Sequence, residues 1–323
     1  MKKTLTIIFS LLAFVASYAQ KVDYRVISVN EELDKKMTKI TSESDHVFWY
    51  QVERTRRGVV WAPNRRIALS PDGNEIAFLS ETDTGFNVFV KNLDGSGRTV
   101  QRTDKDVVFD LSYSPDGTTL CFNEGTESNC QILTTDAKRG YDCNQITYGA
   151  TDYSPMYSDD MTYIFFSRLE QHGTSVWSFD TRDMTLCRRS SGHYPCPIPG
   201  TKSFVCDRES SNGKREIWKI DYERGTEECI ASGPGRFTTP SVSPDGEWVA
   251  FTGETAVPYG KGYYYNTDIY ACRTDGSQLT QLTFHVCEDL CPVWSADGKY
   301  IYFISQRGDS KGTANIWKMS FEH

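Results

Sequence analysis

Ser70-Pro71-Asp72-Gly73-Asn74-Glu75-Ile76-Ala77-Phe78 joins a four-residue turn signal to a short apolar strand, and the 323-residue chain carries that join six times. Full copies of the turn start at Ser70, Ser114 and Ser243. Variants stand at Ser158-Asp159-Asp160-Met161 and Ser295-Ala296-Asp297-Gly298, and a worn copy at Pro197-Ile198-Pro199-Gly200. The last residues of these motifs, Gly73, Gly117, Met161, Gly200, Gly246 and Gly298, lie 44, 44, 39, 46 and 52 residues apart. A period of that length marks one four-stranded propeller blade per repeat. The expected fold class is all-β, a six-bladed β-propeller of four-stranded antiparallel blades.

Each repeat shows the same strand signals. The second strand follows the turn and is continuously apolar, as in Leu120-Cys121-Phe122, Ile164-Phe165-Phe166 and Val249-Ala250-Phe251, which suits a strand buried on both faces between stacked blades. The third strand places aromatic beside β-branched residues, as in Val176-Trp177 and Ile217-Trp218. The fourth ends in forms such as Gln145-Ile146-Thr147 and Gln281-Leu282-Thr283. Asp72, Asp116, Asp160, Asp245 and Asp297 are read as turn formers, because Asp hydrogen-bonds its own turn backbone and the following Gly accepts positive φ. No sustained 3.6-residue period predicts helix after the N-terminal region.

The chain opens with Lys2-Lys3, an apolar run from Thr4 to Ala16 and Ser17-Tyr18-Ala19, the pattern of a signal peptide cleaved near Ala19. A periplasmic or secreted protein is expected. No later run is long enough to span a bilayer. Without the leader, 33 Lys and Arg stand against 43 Asp and Glu, a formal charge of −10, which disfavours nucleic acid and anionic membrane as partners. Residues 1–19 are thus assigned to the leader, 20–60 to an N-terminal segment and 61–323 to the propeller. The last blade lacks a fourth strand before His323, so the N-terminal segment is expected to close the ring with Tyr24–Val29 or Met37–Thr41. A ring closed in this way can stand as a monomer. Among ten cysteines, Cys196 with Cys206 and Cys287 with Cys291 are candidate disulfide pairs.

Ser243-Pro244-Asp245-Gly246-Glu247-Trp248-Val249-Ala250-Phe251, set beside the stretch from Ser70 to Phe78, resembles the repeats of TolB-type six-bladed propellers from about Asn64 to Met319. The resemblance implies a periplasmic propeller that binds envelope proteins and peptides. The separate α/β domain that precedes the propeller in TolB itself is not expected here. The repeats also resemble the propellers of prolyl oligopeptidases and of oligogalacturonate lyases. Gly308-Asp309-Ser310-Lys311-Gly312 fits a hydrolase elbow by letter, yet no Asp follows it and the last residue, His323, is the single later His. A peptidase is therefore not expected.

Propeller sites gather where two loop sets converge at one end of the axis. The loops from fourth to first strands carry Asp110, Asp152, His193, Arg236, His285, Glu288 and Asp289. Those residues are expected to line a hydrated funnel that contacts a partner, and His193, His285, Glu288 and Asp289 offer donors for a divalent cation. The second-to-third loop of blade five, Gly253 to Thr267, is long and holds Tyr259, Tyr263, Tyr264 and Tyr265. Tyrosine gives broad amphipathic contact area with few rotamers to freeze. The expected function is an exported, non-catalytic scaffold that recognises an envelope protein or peptide and needs no cofactor. The alternative is a carbohydrate-active propeller that binds or cleaves an acidic oligosaccharide with a divalent metal.

Overall fold

A computed structural model describes residues 37–45, 47, 54–55, 58–59, 67–83, 85–104, 108–126, 129–211, 213–233, 235–259, 262–285, 287–307 and 314–322. Six four-stranded antiparallel sheets form the blades of a propeller. Blade one contains β4 (Ala68–Leu69), β5 (Glu75–Thr82), β6 (Gly85–Asn92) and β7 (Val100–Gln101), and blade two β8 (Val108–Tyr113), β9 (Thr119–Thr126), β10 (Asn129–Asp136) and β11 (Cys143–Gln145). Blade three is β12 (Thr151–Tyr157), β13 (Tyr163–Glu170), β14 (Gly173–Asp180) and β15 (Leu186–Ser191); blade four is β16 (His193–Pro197), β17 (Ser203–Glu209), β18 (Arg215–Asp221) and β19 (Thr226–Ala231). Blade five holds β20 (Arg236–Val242), β21 (Trp248–Tyr259), β22 (Gly262–Arg273) and β23 (Thr280–Gln281). Blade six takes β24 (Asp289–Trp294), β25 (Tyr300–Ser305), β26 (Asn315–Ser320) and, from the N-terminal segment, β1 (Thr38–Lys39). A separate hairpin joins β2 (Arg54–Thr55) to β3 (Gly58–Val59). One 3-10 turn at Glu43–Asp45 is the helical content of the described residues, and no described helix is long and apolar enough to cross a membrane.

The ring is closed by the second of the two candidate segments. Thr38 pairs with Lys318 and Lys39 with Trp317, while the Thr41 hydroxyl accepts the Ile316 amide at 2.9 Å. Tyr24–Val29, the leader and Gly308–Gly312 lie outside the described residues.

The turn motif does what its residues dictate. Each Ser Oγ donates to the carboxylate two residues on, at 2.6 Å for Ser70–Asp72 and Ser295–Asp297, and accepts the amide five residues on, at 2.9 Å in Glu75, Thr119, Tyr163, Trp248 and Tyr300. The serine hydroxyl bonds hold Asp72, Asp116 and Asp297 below the usual carboxylate range and Asp160 at about 2. Their chemistry is that of turns.

Apolar burial is organised by seam. Six clusters of buried side chains each span two neighbouring blades, so the six seams are each filled by the faces of two sheets. Every second strand contributes a fully buried phenylalanine: Phe78, Phe122, Phe166, Phe204, Phe251 and Phe303. Burial of one such ring stabilises by about 1.5–3 kcal/mol. Neither candidate pair, Cys196 with Cys206 or Cys287 with Cys291, is joined by a disulfide, and for the first the cause is register. Cys196 faces Val205 across β16 and β17, so Cys206, one residue on, points to the other side of its sheet.

Candidate functional site

The innermost strands of blades three to six share a local device. Each carries a β-bulge, and at it Ser154, Tyr194, Thr239 and Cys291 take positive φ of 55°, 51°, 52° and 56°. Each is followed by proline: Pro155, Pro195, Pro240 and Pro292. The innermost strand is a sheet edge, where the missing amide hydrogen of proline costs no ladder bond. The neighbouring blade holds three of the strained residues in place. Ser167 Oγ accepts the Tyr194 amide at 2.9 Å, Asp207 Oδ2 that of Thr239 at 3.3 Å, and Thr252 Oγ1 that of Cys291 at 3.0 Å. Left-handed backbone outside glycine is costly and persists where the surroundings over-determine it. Here it forms an arc around the axis.

On the turn-motif side of this arc lies an axial cavity of about 480 Å³. Its lining is drawn from all six innermost strands, from Thr239 and Cys291 at the bulges to Pro71, Pro115, Pro199 and Pro244 at the turns. The sequence reading missed this cavity, because it sought the site at the other end of the axis. The signal was present in the prolines that stand three residues before Ser158, Ile198, Ser243 and Ser295.

Near the arc runs a belt of charged residues, mostly buried and paired. Arg168 holds Asp152 through two bonds of 2.6 and 2.8 Å. Arg215 donates to Asp207 Oδ1 at 3.0 Å, and Arg307 pairs with Asp289. Arg236 stands opposite Glu254 in strand register. Glu254 is pushed upward, by burial against the opposing pull of Arg236 and Arg215.

His193 sits inside this belt. The Arg215 guanidinium, which can only donate, meets Nε2 at 3.3 Å, so the neutral ring carries its proton on Nδ1. That atom lies 2.8 Å from the Tyr153 hydroxyl, which turns its own proton toward Thr174 Oγ1 at 3.3 Å. Burial, reinforced by the Arg215 charge, holds His193 well below the usual imidazole value. It is a neutral spacer between blades three and four.

The sequence-derived site residues therefore divide. Asp110, Asp152 and Asp289 do not line an open, hydrated mouth. Each is fully buried, with Asp110 Oδ2 accepting from Ser154 at 2.8 Å. His285 caps the Cys287 amide through Nδ1 at 3.0 Å. Arg236, Glu288 and His193 are partly exposed. The four donors named for a cation do not converge, because His193 lies between blades three and four whereas His285, Glu288 and Asp289 belong to the β23–β24 connection and the start of β24. Among the described residues no three of His, Cys, Asp or Glu are gathered as a metal centre requires. The belt residues missed by sequence reasoning, Arg168, Asp207, Arg215, Glu254, Asp268 and Arg307, lie within strands or just past one; Glu254 falls inside the 253–267 segment expected as a loop, where only the tyrosines are singled out.

The tyrosine-rich segment is a β-ribbon and not a loop. β21 and β22 run in unbroken register from Trp248↔Arg273 to Tyr259↔Gly262, each 12 residues long, whereas the matching strands of the other blades have six to eight. The pairing of β20 stops at Glu254 and that of β23 begins at Tyr270. Thr255–Tyr259 therefore pair with Gly262–Asn266, and neither stretch has another strand partner among the described residues. At about 3.3 Å per residue the five pairs beyond Glu254 extend about 16 Å. Tyr259, Tyr263, Tyr264 and Tyr265 are all strand residues of this ribbon.

No family model matches the chain. An uncharacterized protein of Agrobacterium fabrum is 29% identical over 133 residues, which is 41% of this chain and 36% of that protein, so the match spans about a third of the relative's length. Among solved structures the fold matches a putative TolB from Agrobacterium tumefaciens with a TM-score of 0.60 and 16% identity, over 82% of this chain and 94% of that one. TolB from Acinetobacter baumannii gives 0.61 and 16%, over 77% and 64%. An oligogalacturonate lyase from Vibrio parahaemolyticus gives 0.56 and 13%, over 89% and 94%. The chain has the fold of a TolB-like six-bladed propeller, and at these identities the likeness is one of fold.

Proposed function

We propose that this chain is an exported, non-catalytic binding propeller that recognises an extended protein or peptide segment of the cell envelope at the end of the axis carrying the blade-five ribbon. The ribbon is the observation that carries the reading. Blades one to four close the same hairpin within strands of eight residues or fewer, so blade folding alone does not call for 12. A two-stranded ribbon with open edges is a template for an added strand. Its two edges differ, since Pro258 on β21 has no amide hydrogen to donate whereas Gly262–Asp268 on β22 contains no proline. The β22 edge is the one suited to receive a partner strand, and the tyrosines supply contact area alongside it.

The fold shared with TolB structures supports the protein-binding class, and the leader pattern supports export. The oligosaccharide reading rests on the lyase-like fold, but His193, one of the donors it needs for a metal, lies between blades three and four, apart from His285, Glu288 and Asp289. The test replaces Thr255–Asn266 by a two-residue turn and screens wild type and variant against a library of extended peptides by fluorescence anisotropy. Binding lost with unchanged circular dichroism and melting supports the reading. Peptide binding that survives ribbon removal, or unsaturated uronate product formed by wild type, overturns it.

A further inference from the structure

Blade five departs from its neighbours at one buried position. In four blades a buried apolar residue of the third strand donates its amide to the threonine at the end of the fourth strand. The pairs are Val88 to Thr103, Ile132 to Thr147, Ile269 to Thr283 and Ile316 to Thr41, at 2.9, 3.0, 2.9 and 2.9 Å. The residue just before the donor is Asn87, Gln131, Asp268 and Asn315. Three of the four are neutral amides. Thr103 donates to Asn87 Oδ1 at 3.0 Å, and Thr41 meets the Asn315 side-chain amide at 3.1 Å. Asp268 fills the same slot with a carboxyl group.

That slot is poorly suited to an anion. Asp268 is buried; Oδ2 accepts from Asn266 at 2.9 Å, and Oδ1 has no hydrogen-bond partner. Across the seam on β24 stands Asp289, fully buried and already paired with Arg307. Asp268 and Asp289 thus face the one guanidinium of Arg307 among the described residues. A neutral acid offers a carbonyl and an O–H where the neighbouring blades offer the C=O and N–H of an amide.

We infer that Asp268 is carried as a neutral carboxylic acid and acts as a proton-operated lock on the seam between blades five and six, at the root of the ribbon. The inference does not rest on the proposed recognition role. Burial and the Asp289 charge both push Asp268 well up, against the opposing pull of Asn266, Arg307 and Thr283. The surrounding elements bring Asp289 from β24, Arg307 from the end of β25, and Thr283, His285, Cys287 and Glu288 from the β23–β24 connection. Gly253 is its partner on β21. A group whose folded pKa is raised stabilises fully below its unfolded pKa, and that contribution is lost as pH rises through the folded pKa.

The test compares urea unfolding of wild type and Asp268→Asn at pH 5, 6, 7 and 8. The ratio of their unfolding constants is expected to grow about tenfold per pH unit, in favour of the variant, up to the folded pKa. A ratio independent of pH overturns the inference. Infrared spectra of protein with isotope-labelled aspartate decide the matter should the variant not fold. A protonated-carboxyl band near neutral pH is expected in wild type, and its absence at pH 6 overturns the inference. In Asp289→Asn the band is expected to vanish at lower pH, because Arg307 then has Asp268 as its counter-ion.

Discussion

Replacing Asp207 with Ala tests whether the charged belt holds the blades together. Asp207 is fully buried in β17 and accepts three bonds: from Arg215 at 3.0 Å, from the Thr238 hydroxyl at 2.6 Å and from the Thr239 amide at 3.3 Å. The last two cross from blade five, at a residue held in left-handed backbone. Removing the carboxylate strands a cation whose side chain is 7% exposed, at a cost of about 3–5 kcal/mol. Each orphaned buried donor adds about 1–3 kcal/mol, though not additively. A loss of at least about 3 kcal/mol is expected in urea unfolding followed by tryptophan fluorescence. The double variant Asp207→Leu with Arg215→Met removes both charges and replaces them with apolar volume, so it is expected to recover most of that loss. A single variant that costs less than about 1 kcal/mol, within the range of an exposed pair, refutes the argument. So does a double variant no more stable than the single.

At the ring closure, Thr41→Val keeps the shape but orphans the buried Ile316 amide. A loss of about 1–3 kcal/mol in the same unfolding assay is expected, and unchanged stability counts against closure through this threonine. His193 has a depressed folded pKa, so the unfolded chain binds the proton first as acid is added. Its contribution to stability is present above the unfolded value of 6.5 and is lost as pH falls toward the folded value. Its ring-proton resonances are expected to stay fixed from about pH 8 to below 6, while a solvent-exposed histidine titrates around 6.5. Movement centred near 6.5 would show a solvated ring.

The blade pattern was legible because the turn motif is local: Ser, Asp and Gly satisfy each other within five residues, and spacing alone then sets the ring. The closing segment was legible as one of two, since Lys39-Ile40-Thr41 repeats the ending of other fourth strands. The site was less legible, because burial there is decided between blades. Asp152 and Asp289 look like loop carboxylates until Arg168 and Arg307 arrive from neighbouring strands. The tyrosine segment carries a loop-like Gly-Lys-Gly at 260–262, and strand pairing to Tyr259 absorbs most of what surrounds it. Positive φ before Pro155, Pro195, Pro240 and Pro292 has no signature in a single residue. It shows only when the prolines are counted back from the turns.

Closure by Thr38–Lys39 also sets the order of events during synthesis. The strand that completes the ring leaves the ribosome before its partner exists: Thr41 must wait for Asn315 and Ile316, 274 and 275 residues later. Until then the N-terminal strand β1 has no partner to pair with and the first blade has no neighbour on one side. Contacts of such separation are slow to form, because a long chain must be closed on itself before they reward it. The circle is therefore the last thing the chain makes, and a transport or folding helper that holds the nascent propeller has most to shield at this one seam.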